Sequence, residues 1–121
     1  MAQMAPTPFR LTKHQTAEAL ALLEERKWGH RLTSQELAQR ADVELDVVNS
    51  IERHLPITDP HPIERVAHAL GITPGLLRKI AAFDDITPDE WATFTECART
   101  SPPGEPVPSR CENLGFRRIW R

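Results

Sequence analysis

Apolar residues recur along this chain at helical spacing, and the pattern is divided into short segments. Between residues 13 and 28, Leu20 and Leu23, with Ala19 and Ala17, are expected to form one apolar stripe, and Gly29 ends the helix. No alternation of apolar and polar residues of the kind expected for a β-strand continues for more than a few positions. The pattern therefore predicts an all-α protein.

Start and stop signals give the approximate bounds of six helices. Thr33 and Glu36 have the spacing of a capping box, in which each side chain satisfies a free amide at the helix start. Thr73 followed by Pro74 is a second start signal, and Gly71 is suited to a left-handed helix end. The helices predicted in this way are 13–28, 34–41, about 45–55, 62–70, 74 to about 83, and 88–99.

Length, charge and cysteine content limit the classes of protein that fit. A chain of 121 residues is expected to form one domain with tails, and a net charge of −2 argues against indiscriminate binding of nucleic acid. The opening MAQMAPTPFR shows no apolar run, and no stretch is long enough to span a membrane. We therefore expect a cytoplasmic protein in which Cys97 and Cys111 are free, with a redox pair as the alternative.

The helices 34–41 and 45–55 are joined by a four-residue turn that suits a steep helix crossing. Ala38 is small enough for the crossing point, Asp42 tolerates a left-handed turn, and Val43 follows it as an apolar plug. Val48 and Ile51 then face the core. The residues left pointing outward are Leu45, Asp46, Asn49, Ser50 and Arg53.

LTSQELAQRADVELDVVNSIER, followed by HPIERVAHALGITPGLL, resembles the helix-turn-helix domain of lambda-repressor/Cro-type (XRE family) regulators. The resemblance covers about residues 13 to 83, more than half of the chain. It implies a five-helix DNA-binding bundle, to which this chain adds one C-terminal helix and a Pro-rich tail. The expected parts are an N-terminal arm (1–11), the helix-turn-helix domain (12–83), a helix that is a candidate for dimerisation (84–99), and a linker with a basic and aromatic tail (100–121).

The resemblance also implies roles for individual residues. The start of the second helix would contact phosphate, the first turns of the third helix would face base edges in the major groove, and its end would hold the DNA backbone. Glu52 would form an ion pair with Arg26 or Lys27 on the first helix. The predicted DNA-binding residues are Ser34, Gln35, Glu44, Leu45, Asp46, Asn49, Ser50, Arg53 and His54.

This chain departs from the family pattern in the reading helix. Glu44 and Leu45 stand where the family usually has serine and glutamine, and no fixed cation follows Arg53 until Arg65. The acids of the first turn can complement the helix dipole, or a carboxylate can accept from cytosine N4 while Asn49 binds adenine and a leucine meets a thymine methyl. A third interpretation is that this acidic face binds a protein.

The C-terminal residues carry a different signal. SPPGEPVPS predicts an extended polyproline linker, and the following NLGFRRIWR has the aromatic and arginine anchors of a docking peptide. Two alternatives are that this tail folds back onto the acidic region of the sixth helix or that it is disordered. The predicted partner-binding residues are Phe116, Arg117, Arg118 and Trp120.

Taken together, these patterns predict a sequence-specific DNA-binding transcriptional regulator, with a repressor expected, that binds double-stranded DNA as a homodimer. The alternative is a protein-binding adaptor or an antitoxin-like protein that engages its partner through the acidic helix or the tail. The five histidines lack zinc-ligand spacing, and no catalytic constellation stands out. We therefore expect no metal, no cofactor and no enzymatic activity.

Overall fold

The structure is a computed structural model that describes residues 7–100 and 107–117, and these ranges are helical apart from their connections and two single β-bridges. This confirms the predicted all-α class. The helices are α1 (Lys13–Trp28), α2 (Ser34–Ala41), α3 (Leu45–Arg53), α4 (Pro60–Leu70), α5 (Pro74–Ile80), α6 (Pro88–Thr100) and α7 (Ser109–Leu114).

The local start signals act as predicted. The Thr33 hydroxyl accepts from the Glu36 amide, and the Glu36 carboxylate accepts from the Thr33 amide, which completes the capping box of α2. Thr87 and Glu90 make the same reciprocal pair at the start of α6. Each box satisfies two amides that a helix start otherwise leaves without partners. α1 has a box of the same kind, formed by Thr12 and Gln15, and the bounds of α1 and α2 match the predicted ones.

Three helix bounds differ from the prediction by two or three residues, for identifiable reasons, and α6 extends one residue further than predicted, to Thr100. The third helix ends at Arg53 rather than near Leu55, because His54 adopts a left-handed conformation with a φ of 61°. The fourth begins earlier, at Pro60, since the Asp59 side chain caps it. The fifth ends at Ile80, and the left-handed Ala82, with a φ of 60°, prevents its continuation.

α1 is the central element of the bundle and packs against α3, α4, α5 and α6. Its predicted stripe is confirmed at Ala19, Leu20 and Leu23, which are all buried, but not at Ala17, which is exposed. Val48 and Ile51 of α3 are each 1% exposed and enter the same core, as predicted. The core therefore fixes one face of α3 and leaves the opposite face outside.

Most of the predicted polyproline linker lies outside the described residues, and the segment that follows it is folded. Residues 109–114 form α7, and Phe116 is 1% exposed. The backbone of this segment pairs with the turn between α4 and α5, through Thr73 N–H to Gly115 O and Arg117 N–H to Gly71 O, both at 2.8 Å. A side chain at position 115 would meet Thr73 Oγ1 at 2.6 Å, so this approach requires glycine.

The expectation of two free cysteines is wrong in this structure. Cys97 of α6 and Cys111 of α7 form a disulfide, with their Cα atoms 5.9 Å apart. Both residues are buried, because α7 lies directly against α6. The described tail thus folds back onto the sixth helix, which was one of the alternatives, while Arg118 and Trp120 lie outside the described residues.

The described part of the N-terminal arm also packs onto the bundle. Phe9 forms a β-bridge with Ile86, Leu11 is 2% exposed, and the Arg10 guanidinium lies 3.2 Å from the Asp85 carboxylate. Residues 7–11 therefore brace the loop that precedes α6. Within residues 7–100 and 107–117, none of the helices has the length and apolar character needed to cross a membrane.

Candidate nucleic-acid interface

The turn between α2 and α3 has the predicted geometry. Asp42 lies in the left-handed region, with a φ of 56°, and the Val43 amide donates to Ala38 O at 3.0 Å. Aspartate adopts this conformation more readily than most residues that have a Cβ atom. Val43 is half-buried behind the turn. The turn therefore closes α2 and directs α3 across it.

α3 presents most of the predicted reading residues to the outside. Leu45, Asp46 and Arg53 are exposed, and Leu45 keeps 43% of its surface. Asn49 and Ser50 are half-buried at the edge of the same face. Their placement follows from the helical period, since Val48 and Ile51 occupy the inward positions.

Glu44 precedes α3 as its N-cap residue but makes no capping hydrogen bond with its side chain. Its carboxylate is exposed and lies near the positive end of the helix together with Asp46. The carboxylate of Glu44 is thus not used to satisfy the amides of α3, and it is available to an external donor.

At the start of α2, the two predicted phosphate contacts are in different situations. Gln35 is exposed, whereas the Ser34 hydroxyl donates to Glu52 Oε1 at 2.5 Å and is half-buried. The Ser34 hydroxyl can therefore bind phosphate only by giving up its hydrogen bond to Glu52. Gln35 and the backbone amides of the first turn remain the better phosphate donors.

The expected ion pair between Glu52 and a base of α1 is wrong. Lys27 donates instead to the Ala69 carbonyl at 2.5 Å, and the Arg26 guanidinium lies over the Phe116 ring, 5.0 Å from its centroid. The charged residue of α1 that lines the same cavity as Glu52 is Glu24, another acid. Helical periodicity identified the buried face of α1 but not which polar side chain on it meets α3.

His54 is engaged within the fold. Its Nε2 atom lies 2.7 Å from the hydroxyl of the buried Thr16, and that hydroxyl donates its proton to Ile80 O at 2.6 Å. The ring therefore acts as the donor to Thr16. Burial, and then the nearby charge of Lys13, hold the pKa of His54 below its ordinary value. His54 is accordingly a positioning contact at the end of α3 and a weak candidate for a phosphate contact near neutral pH.

The cations around α3 are mostly occupied by contacts inside the protein. Arg65 donates to Asp42 O at 2.9 Å, Arg40 lies over the Trp28 ring, and Arg31 is 3.6 Å from Glu25. Arg53 is exposed in the last turn of α3. The fixed positive charge offered to a polyanion is therefore small, as the sequence indicated.

A groove of about 780 Å³ lies beside the start of α3, between the α2–α3 turn and the start of α4. Carboxylates of both elements stand at its border, and three apolar residues contribute to its wall. Its lining consists of Asp42, Val43, Glu44, Val47, Asp59, His61, Pro62 and Arg65. This groove was not predicted, because the residues that form its two sides are far apart in the sequence. Those at the start of α4 follow the α2–α3 turn by more than a dozen positions.

Within the described ranges, no group of three or more His, Cys, Asp or Glu side chains is placed to hold a metal ion.

Of the predicted partner-binding residues, Phe116 is buried in the core and Arg117 is exposed. Phe116 is therefore not an accessible anchor for a partner in this conformation.

Comparison with known proteins yields no matching family model, no matching curated protein and no matching solved structure.

Proposed function

We propose that this protein is a sequence-specific DNA-binding regulator of the lambda-repressor-like type, in which α3 enters the major groove. The observation that carries the proposal is the two-sided character of α3. Val48 and Ile51 hold it to the core, while Leu45, Asp46 and Arg53 extend from the opposite face at the surface. A short helix crossing its predecessor through a tight turn is the arrangement that presents side chains to base edges.

In this proposal the two ends of the helix pair have different tasks. Gln35 and the amides at the start of α2 bind a phosphate and set the register of the protein on the duplex. Asn49 reads an adenine, the carboxylate of Glu44 or Asp46 accepts from cytosine N4, and Leu45 contacts a thymine methyl. Arg53 holds the backbone at the far end of α3.

The scarcity of exposed cations near α3 favours a dimer on two half-sites. Phosphate contacts supply most of the affinity of DNA-binding proteins, so one copy of this surface would bind weakly. We expect a shallow salt dependence for a dimer, with a log–log slope of about −4 to −6 if roughly five to seven phosphates are contacted. α6 is the proposed dimer surface through residues outside its buried face, since Phe94, Cys97 and Ala98 face the chain's own core.

Selection of bound sequences from random duplex DNA tests this function. We expect enrichment of a palindrome by the wild-type protein and its loss with Arg53→Ala. Arg117→Ala, which removes an exposed arginine of the C-terminal segment, is the control and should preserve the enrichment. Failure of the wild-type protein to enrich any sequence over random duplex would overturn the proposal.

A second candidate function is favoured by the groove beside α3. Val43, Val47 and Pro62 offer apolar contacts, and three carboxylates against the one fixed cation Arg65 give the groove a net negative lining. A protein segment that carries cations around an aliphatic side chain matches this lining in charge and polarity. The partner of an adaptor or antitoxin-like protein would bind here rather than at the buried Phe116.

Binding of a synthetic peptide that alternates arginine and leucine, followed by fluorescence anisotropy, tests this second function. We expect binding that Glu44→Lys weakens by at least tenfold, because the substitution reverses a charge in the lining. A peptide with glutamate in place of arginine is the matched control and should not bind. Equal binding of the two peptides would contradict recognition by this groove.

A further inference from the structure

A small cavity of about 170 Å³ lies where α1, α2 and α3 meet. Two carboxylic acids line it, Glu24 from α1 and Glu52 from α3, together with Ser34 at the start of α2. This is the place at which the resemblance implied an ion pair between α1 and α3. An acid thus stands where a base was expected, directly behind the proposed reading helix.

Each of the two acids is held by one donor. The Leu32 amide donates to Glu24 Oε1 at 3.0 Å, and the Ser34 hydroxyl donates to Glu52 Oε1 at 2.5 Å. Both donors come from the connection between α1 and α2 or from the first residue of α2. The two carboxyl groups are therefore tied to the same short stretch of chain, which draws them toward a common space.

The surroundings of Glu24 do not compensate a second negative charge. Glu24 is only 6% exposed, Glu25 follows it on α1, and Glu52 faces it from α3. Arg31, the one cation that lines the cavity, has a side chain that is 73% exposed and lies 3.6 Å from Glu25. Burial is the largest cause that raises the pKa of Glu24, to about 7; the Leu32 hydrogen bond and the charge of Arg31 lower it, and the charges of Glu52 and Glu25 raise it.

We propose that Glu24 is held protonated in this cavity opposite Glu52, and that loss of the Glu24 proton loosens the attachment of α3 to α1, so that pH regulates the reading helix. The protonation of Glu24 stands on its burial and on the second acid that lines the same cavity. Its effect on DNA rests on the function proposed above.

The direction of the effect follows from the two states of the chain. In the unfolded chain Glu24 titrates near its ordinary value of 4.5, and in the folded protein it titrates near 7. The folded state therefore holds the proton more tightly, and stability that is present below pH 4.5 is lost as pH rises toward and through 7. Above that range the Glu24 carboxylate is charged, and its repulsion from Glu52 acts between α1 and α3.

Carboxyl carbon chemical shifts measured by NMR between pH 4 and 9 test the protonation of Glu24. We expect Glu24 to titrate near neutral pH in the wild-type protein and at a distinctly lower pH in Glu52→Gln, because the substitution removes the facing charge. A Glu24 titration near 4.5 in the wild type, or one that Glu52→Gln leaves in place, would overturn the proposal.

Urea unfolding at pH 5, 6, 7 and 8 tests the mechanical consequence. Relative to Glu24→Gln, the unfolding equilibrium constant of the wild type should increase on the order of 100-fold across this range. Glu112→Gln removes an exposed acid of α7 and should retain the wild-type pH dependence. Parallel curves for the wild type and Glu24→Gln would contradict the proposal.

DNA affinity measured at pH 6 and pH 8 separates this inference from the proposed function. The wild type should bind its selected sequence more weakly at pH 8 by at least threefold, while Glu24→Gln should bind equally at the two values. DNA binding that is equally pH-dependent in both proteins overturns the regulatory role. Absence of DNA binding at every pH overturns the proposed function, and the NMR titration then tests the protonation of Glu24 by itself.

Discussion

The α2–α3 pair and the C-terminal segment from α6 to Phe116 are built in opposite ways. The pair is defined by contacts between near neighbours, such as the Thr33–Glu36 capping box and the amide of Val43 on Ala38 O. The C-terminal segment is held by contacts between distant parts of the chain, such as the bridge of Phe116 with Ile72 and the Cys97–Cys111 disulfide.

The two regions also differ in what they leave at the surface. α3 keeps charged and polar side chains outside, whereas the C-terminal segment inserts its aromatic residue into the core, where Phe116 lies 5.6 Å from Phe94 between ring centroids. A surface that keeps ionised groups free is suited to recognition, and a segment that buries its anchors is suited to stability. The helix pair is therefore the candidate interface, and the C-terminal segment is a brace.

The largest effect is expected from Ile51→Asp. Ile51 is 1% exposed, and a carboxylate at this position has no partner in the core. Burying an unpaired charge costs several kcal/mol, so the domain should unfold. Circular dichroism and the thermal midpoint measure this. Leu45→Asp places the same group on the exposed face of α3 and should retain helicity; wild-type stability of Ile51→Asp would remove the assigned register of α3.

Phe116→Ala is the corresponding change in the C-terminal segment. Removing a buried phenylalanine costs about 3–5 kcal/mol, and Phe116 also underlies the Arg26 guanidinium. Urea unfolding with the disulfide intact measures the loss. Phe83→Ala removes the same ring from a half-buried position and should cost less. If the two variants were equally stable, the C-terminal segment would not be part of the core.

The disulfide should contribute somewhat less. Cys97 and Cys111 are separated by 14 positions, and a crosslink that closes a loop of this size contributes about 3 kcal/mol, mainly by restricting the unfolded chain. The double variant Cys97→Ala/Cys111→Ala, compared with the wild type by urea unfolding, measures this. Wild-type protein refolded in reductant is the control and should approach the double variant. No difference among the three would argue against the crosslink.

The contrast between the regions explains how far the sequence could be interpreted. The helices that begin at Lys13, Ser34, Pro74 and Pro88 follow from caps that involve residues three positions apart, which a sequence displays directly. α7 was not predicted because it directly follows a proline-rich stretch and its stability comes from residues in α6 and in the α4–α5 turn. Contacts of this kind depend on the folded arrangement and leave no periodic pattern.

The same limit applies within the candidate interface. The outward face of α3 follows from the helical period, so Leu45, Asp46 and Arg53 were placed on it correctly. The hydrogen-bond partner of Glu52 could not be predicted from the sequence. Which polar residue of α1 lies near Glu52 depends on how the two helices are rotated against each other. The engagement of His54 by Thr16 was missed for the same reason.

A smaller effect is expected from Asn49→Ala, which acts on recognition rather than stability. Asn49 is half-buried on the outer part of α3, and loss of a bidentate contact to adenine costs about 1–3 kcal/mol of binding. Affinity for the selected sequence and for variants at each base pair should reveal relaxed specificity at one position. Asn113→Ala on α7 is the matched control. Unchanged affinity and specificity of Asn49→Ala would exclude this side chain from the reading face.

The smallest effect concerns His54 and has the opposite pH direction to that of Glu24. His54 was predicted to bind DNA, but its pKa is lowered in the folded protein by burial and by the charge of Lys13. The unfolded chain takes up this proton more readily, so stability present above about pH 6.5 is lost as pH falls below it. His54→Asn should reduce this loss between pH 7 and 5 in urea unfolding, since asparagine also tolerates the φ of 61° at this position.

His68→Asn on the exposed face of α4 controls for the removal of a histidine. A decline with falling pH that is as steep in His54→Asn as in the wild type would show that burial and Lys13 do not hold the ring neutral.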